Sequence, residues 1–116
     1  MEVMEVRDSN YRVWYDEKSH TVFFEGTLRL TTAEYEPISR LLTEALETQP
    51  PTLTLHMLEL TFLNSSGINM LYKFAISLRK SGIEQISVTG SASIPWQSKS
   101  LSNLKKFLPV IEIEMR

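Results

Sequence analysis

The chain contains no cysteine, so disulfides, thiolate nucleophiles and cysteine-based zinc sites are excluded together. Glycine is scarce, with four residues, and none of them builds either of the common phosphate-cradling loops. No stretch approaches the roughly 18 consecutive apolar residues that a membrane span requires. Met1 to Asp8 alternates acids with Val3, Met4 and Val6 and lacks the basic and apolar regions of a signal peptide. These absences predict a cytoplasmic protein without a membrane partner. A strong charge bias is missing too. The formal charge is -2 and the Lys and Arg residues are scattered along the chain, Lys105-Lys106 forming an adjacent pair, which argues against a nucleic-acid groove or a polybasic patch. No metal-ligand spacing or cofactor motif stands out, so neither is expected.

What is present is a core. A chain of 116 residues that is 42% hydrophobic is long enough for one compact domain and too short for two, so residues 1–116 are read as a single domain. Tyr11 to Tyr15 and Thr21 to Glu25 are rich in aromatic and β-branched residues around the polar tract Asp16 to His20, which predicts a β-hairpin. Met1 to Val6 is left open as a further strand or a loose terminus. Thr31 with Glu34 makes a capping-box signal, and Ile38, Leu41, Leu42, Ala45 and Leu46 recur at helical spacing, so a helix is expected from about Thr32 to Glu47, stopped by Pro50-Pro51.

Leu53, Leu55 and Met57 alternate with Thr54, His56 and Leu58 as a short strand would, and Glu59 to Leu63 leads on to a pair of serines. Beyond Gly67, the positions Ile68, Leu71, Tyr72, Ala75 and Leu78 make the apolar stripe of a second helix, which Gly82 is placed to end in a left-handed turn. Ile83, Ile86 and Val88 predict a strand closed by Gly90. Ser91 to Ser102 reads as a Ser-rich loop with Trp96 as an anchor, passing into a helix through Leu101, Leu104, Phe107 and Leu108. Val110 to Met115 offers a last strand. The order hairpin, helix, strand, helix, strand, helix, strand predicts an α/β domain: a mixed sheet with an antiparallel N-terminal hairpin, right-handed parallel crossovers and helices packed on the sheet.

The run Leu63-Asn64-Ser65-Ser66-Gly67-Ile68 falls where the apolar segment ends and the second helix begins. Ser and Asn are leading N-cap residues, worth about 1 kcal/mol against alanine, so the run can be a cap alone. It can also be a switch, because a helix mouth presents unpaired N–H groups and the positive end of the helix dipole to a phosphate. Gly67 favours the second reading, since glycine in a first turn costs up to about 1 kcal/mol relative to alanine and a small residue leaves the mouth open to a partner. An enzyme is not expected. Leu63 stands where a nucleophile elbow needs glycine; His56 is better read as a polar strand residue than as a base for a serine, and His20 as a solvated turn residue.

The stretch from Leu53 to Ile68 resembles the central strand and phosphorylation loop of STAS domains, the fold of bacterial anti-sigma-factor antagonists, in which two apolar runs lead to Asp-Ser-Ser-Gly or Asp-Ser-Thr-Gly and an amphipathic helix. The resemblance implies a STAS-like fold and a non-enzymatic module that works by partner switching. Ser65 matches the phosphorylated serine and Ser66 its neighbour. The partners implied are a protein kinase that is also an anti-sigma factor and a PP2C-type phosphatase. Two aspartates of that pattern are replaced here, by His56 and Asn64. The Asn-Ser-Ser version is also similar to small STAS-like regulatory phosphoproteins whose unmodified form engages a diguanylate cyclase.

On this reading Ser65 lies in a flat docking surface formed by Asn64, Ser66, Gly67, Asn69 and Met70. The hairpin aromatics Tyr11, Trp14, Tyr15, Phe23 and Phe24 fall on both strand faces. They fit core and cross-strand pairs, or an uncovered face open to self-association. A constitutive scaffold, or a small-ligand or lipid-binding domain of the same fold, stays as an alternative.

Overall fold

The alternating aromatic and β-branched positions near the N-terminus build an antiparallel unit of β1 (Glu5–Arg7), β2 (Tyr11–Asp16) and β3 (Thr21–Leu28). The computed structural model describes residues 4–116; of the two readings left open for Met1 to Val6, Glu5 and Val6 belong to a strand, and Met1 to Val3 lie outside the described residues. The Thr31–Glu34 capping box forms in both directions: Thr31 N–H donates to Glu34 Oε1 at 2.9 Å and Glu34 N–H to Thr31 Oγ1 at 3.2 Å. It opens a 3-10 turn, Ala33–Tyr35, and α1 follows at Glu36–Glu47. The helix starts later than Thr32 because Pro37, which has no N–H to donate, fits the first helical turn.

The segment from Leu53 onward is one strand, β4 (Thr52–Leu63), where a short strand and a separate lead-in were expected. Against β3 it carries one extra residue between the Phe23–His56 and Glu25–Glu59 pairs, and another between Gly26–Leu60 and Thr27–Phe62. Each bulge shifts the side-chain phase. The buried positions therefore run Leu53, Leu55, Met57, then Leu60 and Leu63, which hides the strand from a period-two reading.

After β4 come α2 (Ser65–Leu78), β5 (Gln85–Gly90), α3 (Pro95–Ser102), α4 (Leu104–Phe107) and β6 (Glu112–Met115). Gly82 takes φ +76° as its position required. The sheet order is β1-β2-β3-β4-β5-β6, antiparallel through β3 and parallel from there on, which is the mixed α/β architecture expected. Crossovers that all step the same way with one hand place their helices on one face. Burial agrees: Val13, Tyr15, Val22, Phe24, Leu55, Ile86 and Val88 join the inner sides of α1 and α2 in a single core.

Among the described residues no helix covers the opposite face. Glu5, Trp14, Phe23, His56, Thr89 and Glu114 lie in one row across it by strand register. Trp14 stacks on Phe23 at 5.0 Å between ring centroids and Phe23 meets His56 at 4.9 Å. The hairpin aromatics thus divide: Tyr15 and Phe24 are core, and Trp14 and Phe23 are a cross-strand pair on the open face. His20 is not a freely solvated turn residue. It is half-buried at φ +52°, its carbonyl accepts Thr54 N–H at 2.9 Å, and its Nδ1 is enclosed without a partner among the described residues.

The Ser-rich passage is largely helix, since Pro95 at the first turn starts α3 and carries Trp96, Ser98, Ser100 and Ser102 with it. The pairing of β4 with β5 ends at His56–Thr89, which leaves later β4 carbonyls without a strand partner, and α3 supplies one. The fully buried Gln97 donates through Nε2 to the Met57 and Leu60 carbonyls at 2.7 and 2.9 Å and accepts Ser91 N–H at 2.7 Å. Trp96 Nε1 also donates to the Leu60 carbonyl, at 3.2 Å. Gln97→Leu keeps the volume but strands the Met57 carbonyl and the Ser91 N–H, so it is expected to lower the unfolding free energy in urea by about 3 kcal/mol.

Candidate functional site

The serine motif sits at the carboxyl end of β4, where parallel strands feed their helices. Asn64 is in extended conformation, φ -81° and ψ 175°, and is the N-cap of α2; Ser65 and Ser66 are the first two helical residues. All four polar functions of Asn64 are engaged, its carbonyl accepting Ile68 N–H at 3.0 Å. Its Oδ1 accepts Gly67 N–H at 3.1 Å and the Tyr35 hydroxyl at 2.6 Å, its Nδ2 donates to the Leu30 carbonyl at 2.8 Å, and its backbone N–H donates to the Leu28 carbonyl at 3.2 Å. Only one orientation of the amide satisfies this set.

Tyr35 is 2% exposed. Burial is the main cause that pushes its phenol above the ordinary value of 10.0, against an opposing backbone hydrogen bond at Leu30. It is therefore a neutral hydroxyl at physiological pH and acts as the donor to Asn64. Neither Tyr35 nor Leu30 was anticipated as part of the site. Tyr35 lies next to a capping box that accounts for its neighbours, and its partner is 29 residues away in sequence, so no local signal marks it.

The same network changes the reading of several motif residues. Gly67 does not leave the mouth open. It is buried, and a Cβ there would lie 2.6 Å from the Tyr35 hydroxyl and closer still to the Leu63 side chain, so glycine is required by close packing. Met70 is 8% exposed and turned into the core. Gly67 and Met70 therefore cannot line the expected docking surface, and Asn64 is occupied as a structural tie. Ser65 and Asn69 are exposed and Ser66 is half-exposed. Because Asn64 holds the cap, the Ser65 and Ser66 hydroxyls make no hydrogen bond among the described residues, and Ser65 stands free at the positive end of a 14-residue helix.

His56 takes no part. It lies on the uncovered face against Phe23, seven strand residues before Leu63, which at about 3.3 Å per residue places it more than 20 Å from the serines. Among the described residues no group of three His, Cys, Asp or Glu is placed to hold a metal ion, and no helix is long and apolar enough to cross a membrane.

Two substitutions test this geometry. Gly67→Ala, which would stabilise an ordinary helix by about 1 kcal/mol, is expected here to destabilise the domain by about 1–3 kcal/mol through overpacking. Asn64→Asp restores the acid of the STAS pattern and suits the helix dipole by about 0.3–1 kcal/mol. It also sets a carboxylate against the Leu30 carbonyl, so thermal melts are expected to show a net loss of about 1–2 kcal/mol.

No family model matches the chain, and no curated protein matches it closely. Solved structures do. The chain is similar to SiaC of Pseudomonas aeruginosa over 100% of both chains, with a TM-score of 0.74 at 13% identity. It is also similar to SiaC as solved in complex with the diguanylate cyclase SiaD, which that protein activates, over 97% of this chain and 98% of the other at a TM-score of 0.70 and 14% identity. A structure of apo-SiaC from the same organism aligns over 100% of this chain and 99% of its own, with a TM-score of 0.70 and 13% identity. At these identities the likeness establishes a shared fold along the whole chain.

Proposed function

We propose that this protein is a cytoplasmic, non-enzymatic regulator that binds a diguanylate cyclase, and that phosphorylation of Ser65 controls the contact. The observation that carries the reading is the end-to-end fold likeness to a protein solved on the diguanylate cyclase that it activates. The free, exposed Ser65 beside an Asn64 cap supports the switch. The compared structures lend nothing to the sigma-factor pathway that the STAS resemblance implied, so the cyclase takes precedence over an anti-sigma partner.

A phosphate adds about -1.5 to -2 charges at pH 7. Toward its own helix that charge is favourable by about 0.3–1 kcal/mol, and Asn64 already satisfies the cap, so the fold has no reason to change. Toward a partner packed on the spot the phosphate must be desolvated or displaced. A hundredfold change in affinity requires about 2.8 kcal/mol, within the range of one buried charged group. A serine kinase and a phosphatase acting on Ser65 belong to the same proposal.

The test pairs binding with stability, using the diguanylate cyclase of the cell from which the chain comes. Ser65→Asp is expected to weaken binding at least tenfold while its melting temperature stays within about 3 °C of the parent, and Ser65→Ala and Ser66→Ala to bind as the parent does. Equal binding by Ser65→Asp would remove the switch from that residue. Failure of the parent to bind the cyclase would remove the partner.

A further inference from the structure

The later part of the chain is basic over most of its length. Residues 60–111 carry Lys73, Arg79, Lys80, Lys99, Lys105 and Lys106 against Glu84 alone, a charge of +5, so that the rest of the chain is -7 within a total of -2. The helices α2, α3 and α4 contain no acid, and all six basic residues are exposed. The end of α3 and α4 lie against α2: Tyr72 stacks on Phe107 at 4.8 Å, its hydroxyl donates to the Ser100 carbonyl at 3.2 Å, and the Arg79 guanidinium donates to the Phe107 carbonyl.

Along α2 and into the turn that follows it, Ser65, Asn69, Lys73, Ile76 and Lys80 follow one another at helical spacing, all exposed. Ile76 is 44% exposed, a large apolar side chain between two lysines. Among the described residues the ion pairs are Arg12–Glu5, Arg40–Glu36 and Arg116–Glu114, all outside this region, so none of its six basic residues is held in an ion pair there. Lys105 faces the cleft that Glu112 and Glu114 also line, which leaves Lys73 and Lys80 to carry the charge of the α2 side.

We infer that the outward ridge of α2, flanked by α3 and α4, is the docking surface for an acidic amphipathic helix of a protein partner, with an apolar side chain of that helix resting on Ile76. Charge complementarity selects the sign of the partner. Ile76 selects a protein over a nucleic acid, because an exposed isoleucine offers nothing to a phosphate backbone, and the -7 on the rest of the molecule repels a long polyanion. A second copy of the chain could bring Glu36, Glu44 and Glu47 of α1, but that contact joins unlike surfaces and does not close into a dimer. The inference shares with the proposed function only the placing of a partner on α2, and it needs no phosphorylation.

The test titrates the unmodified full-length protein against a labelled helical peptide with one leucine stripe flanked by glutamates, the same peptide with lysines for the glutamates, and a short DNA duplex. The acidic peptide is expected to bind at least tenfold more tightly than the basic one and to weaken as salt rises. Lys73→Glu with Lys80→Glu is expected to cut that affinity at least tenfold and Ile76→Ser at least threefold, while Lys18→Glu on the hairpin turn leaves it unchanged. Equal binding of the two peptides, or unchanged affinity in the double lysine variant, overturns the inference. So does tighter binding of DNA than of the acidic peptide, or self-association in sedimentation that the double variant abolishes. Ser65→Asp in the same titration separates the two proposals: the ridge is expected to bind the peptide in either state, so unchanged binding supports it, and the switch is judged on the cyclase alone.

Discussion

The side chain of Asn64 is the tie on which the functional end of the molecule depends. One amide joins the chain after β3, through the Leu30 carbonyl, to the turn before α1, through Tyr35, and to the first turn of α2, through Gly67. These segments are distant in sequence and meet only because β3 and β4 run parallel and end together. The tie explains two residue choices at once. An aspartate could accept from Tyr35 and Gly67 but could not donate to Leu30, so the amide is needed. Gly67 is needed because Tyr35 and Leu63 fill the space a methyl group would take.

A second tie works on the other side of β4. The bulges that let β4 follow β3 to Leu63 carry it beyond the reach of β5, whose pairing stops at Thr89. The freed carbonyls of Met57 and Leu60 are taken by Gln97, with Trp96 beside it. The long central strand is thus held by a ladder over its first half. Over its second half β3 flanks it on one side and α3 on the other. That arrangement fixes where α2 begins and, with Tyr72 and Arg79, where α4 lies beside it.

The fold was legible in the sequence because its determinants are local. Apolar spacing in α1 and α2, the Thr31–Glu34 box, the polar turn of the hairpin and Gly82 each act within a few residues, and their order restricts the topology. What escaped was non-local. The bulges broke the period of β4, so Glu59 to Leu63 read as a lead-in. Gln97 carries no local signal within a serine-rich tract because the carbonyls it serves are 37 and 40 positions away. At the site, the position of Ser65 at a helix mouth was legible, and the identity of the cap was not. Asn, Ser and Ser are all good caps, and only Tyr35 and Leu30 decide among them. Gly67 was read as open space where it marks close packing, and Met70 as surface where its side chain completes the core.

How far a phosphate on Ser65 can reach follows from distance and screening. At about 1.5 Å per residue, Lys73 lies roughly 12 Å along α2 from Ser65 and Lys80, just past the end of the helix, roughly 20 Å or more, and the screening length at physiological salt is about 8 Å. Two added negative charges therefore weaken the field near Lys73 modestly and leave Lys80 almost untouched, so modification cannot act by neutralising the basic ridge. Its effect must be made at the mouth of the helix, by the size and hydration of the phosphate where a partner would touch Ser65 and Asn69. The ridge and the serine then divide the work of recognition. The ridge supplies steering and affinity that persist in either state, and Ser65 supplies the short-range term that decides whether the last contact can close.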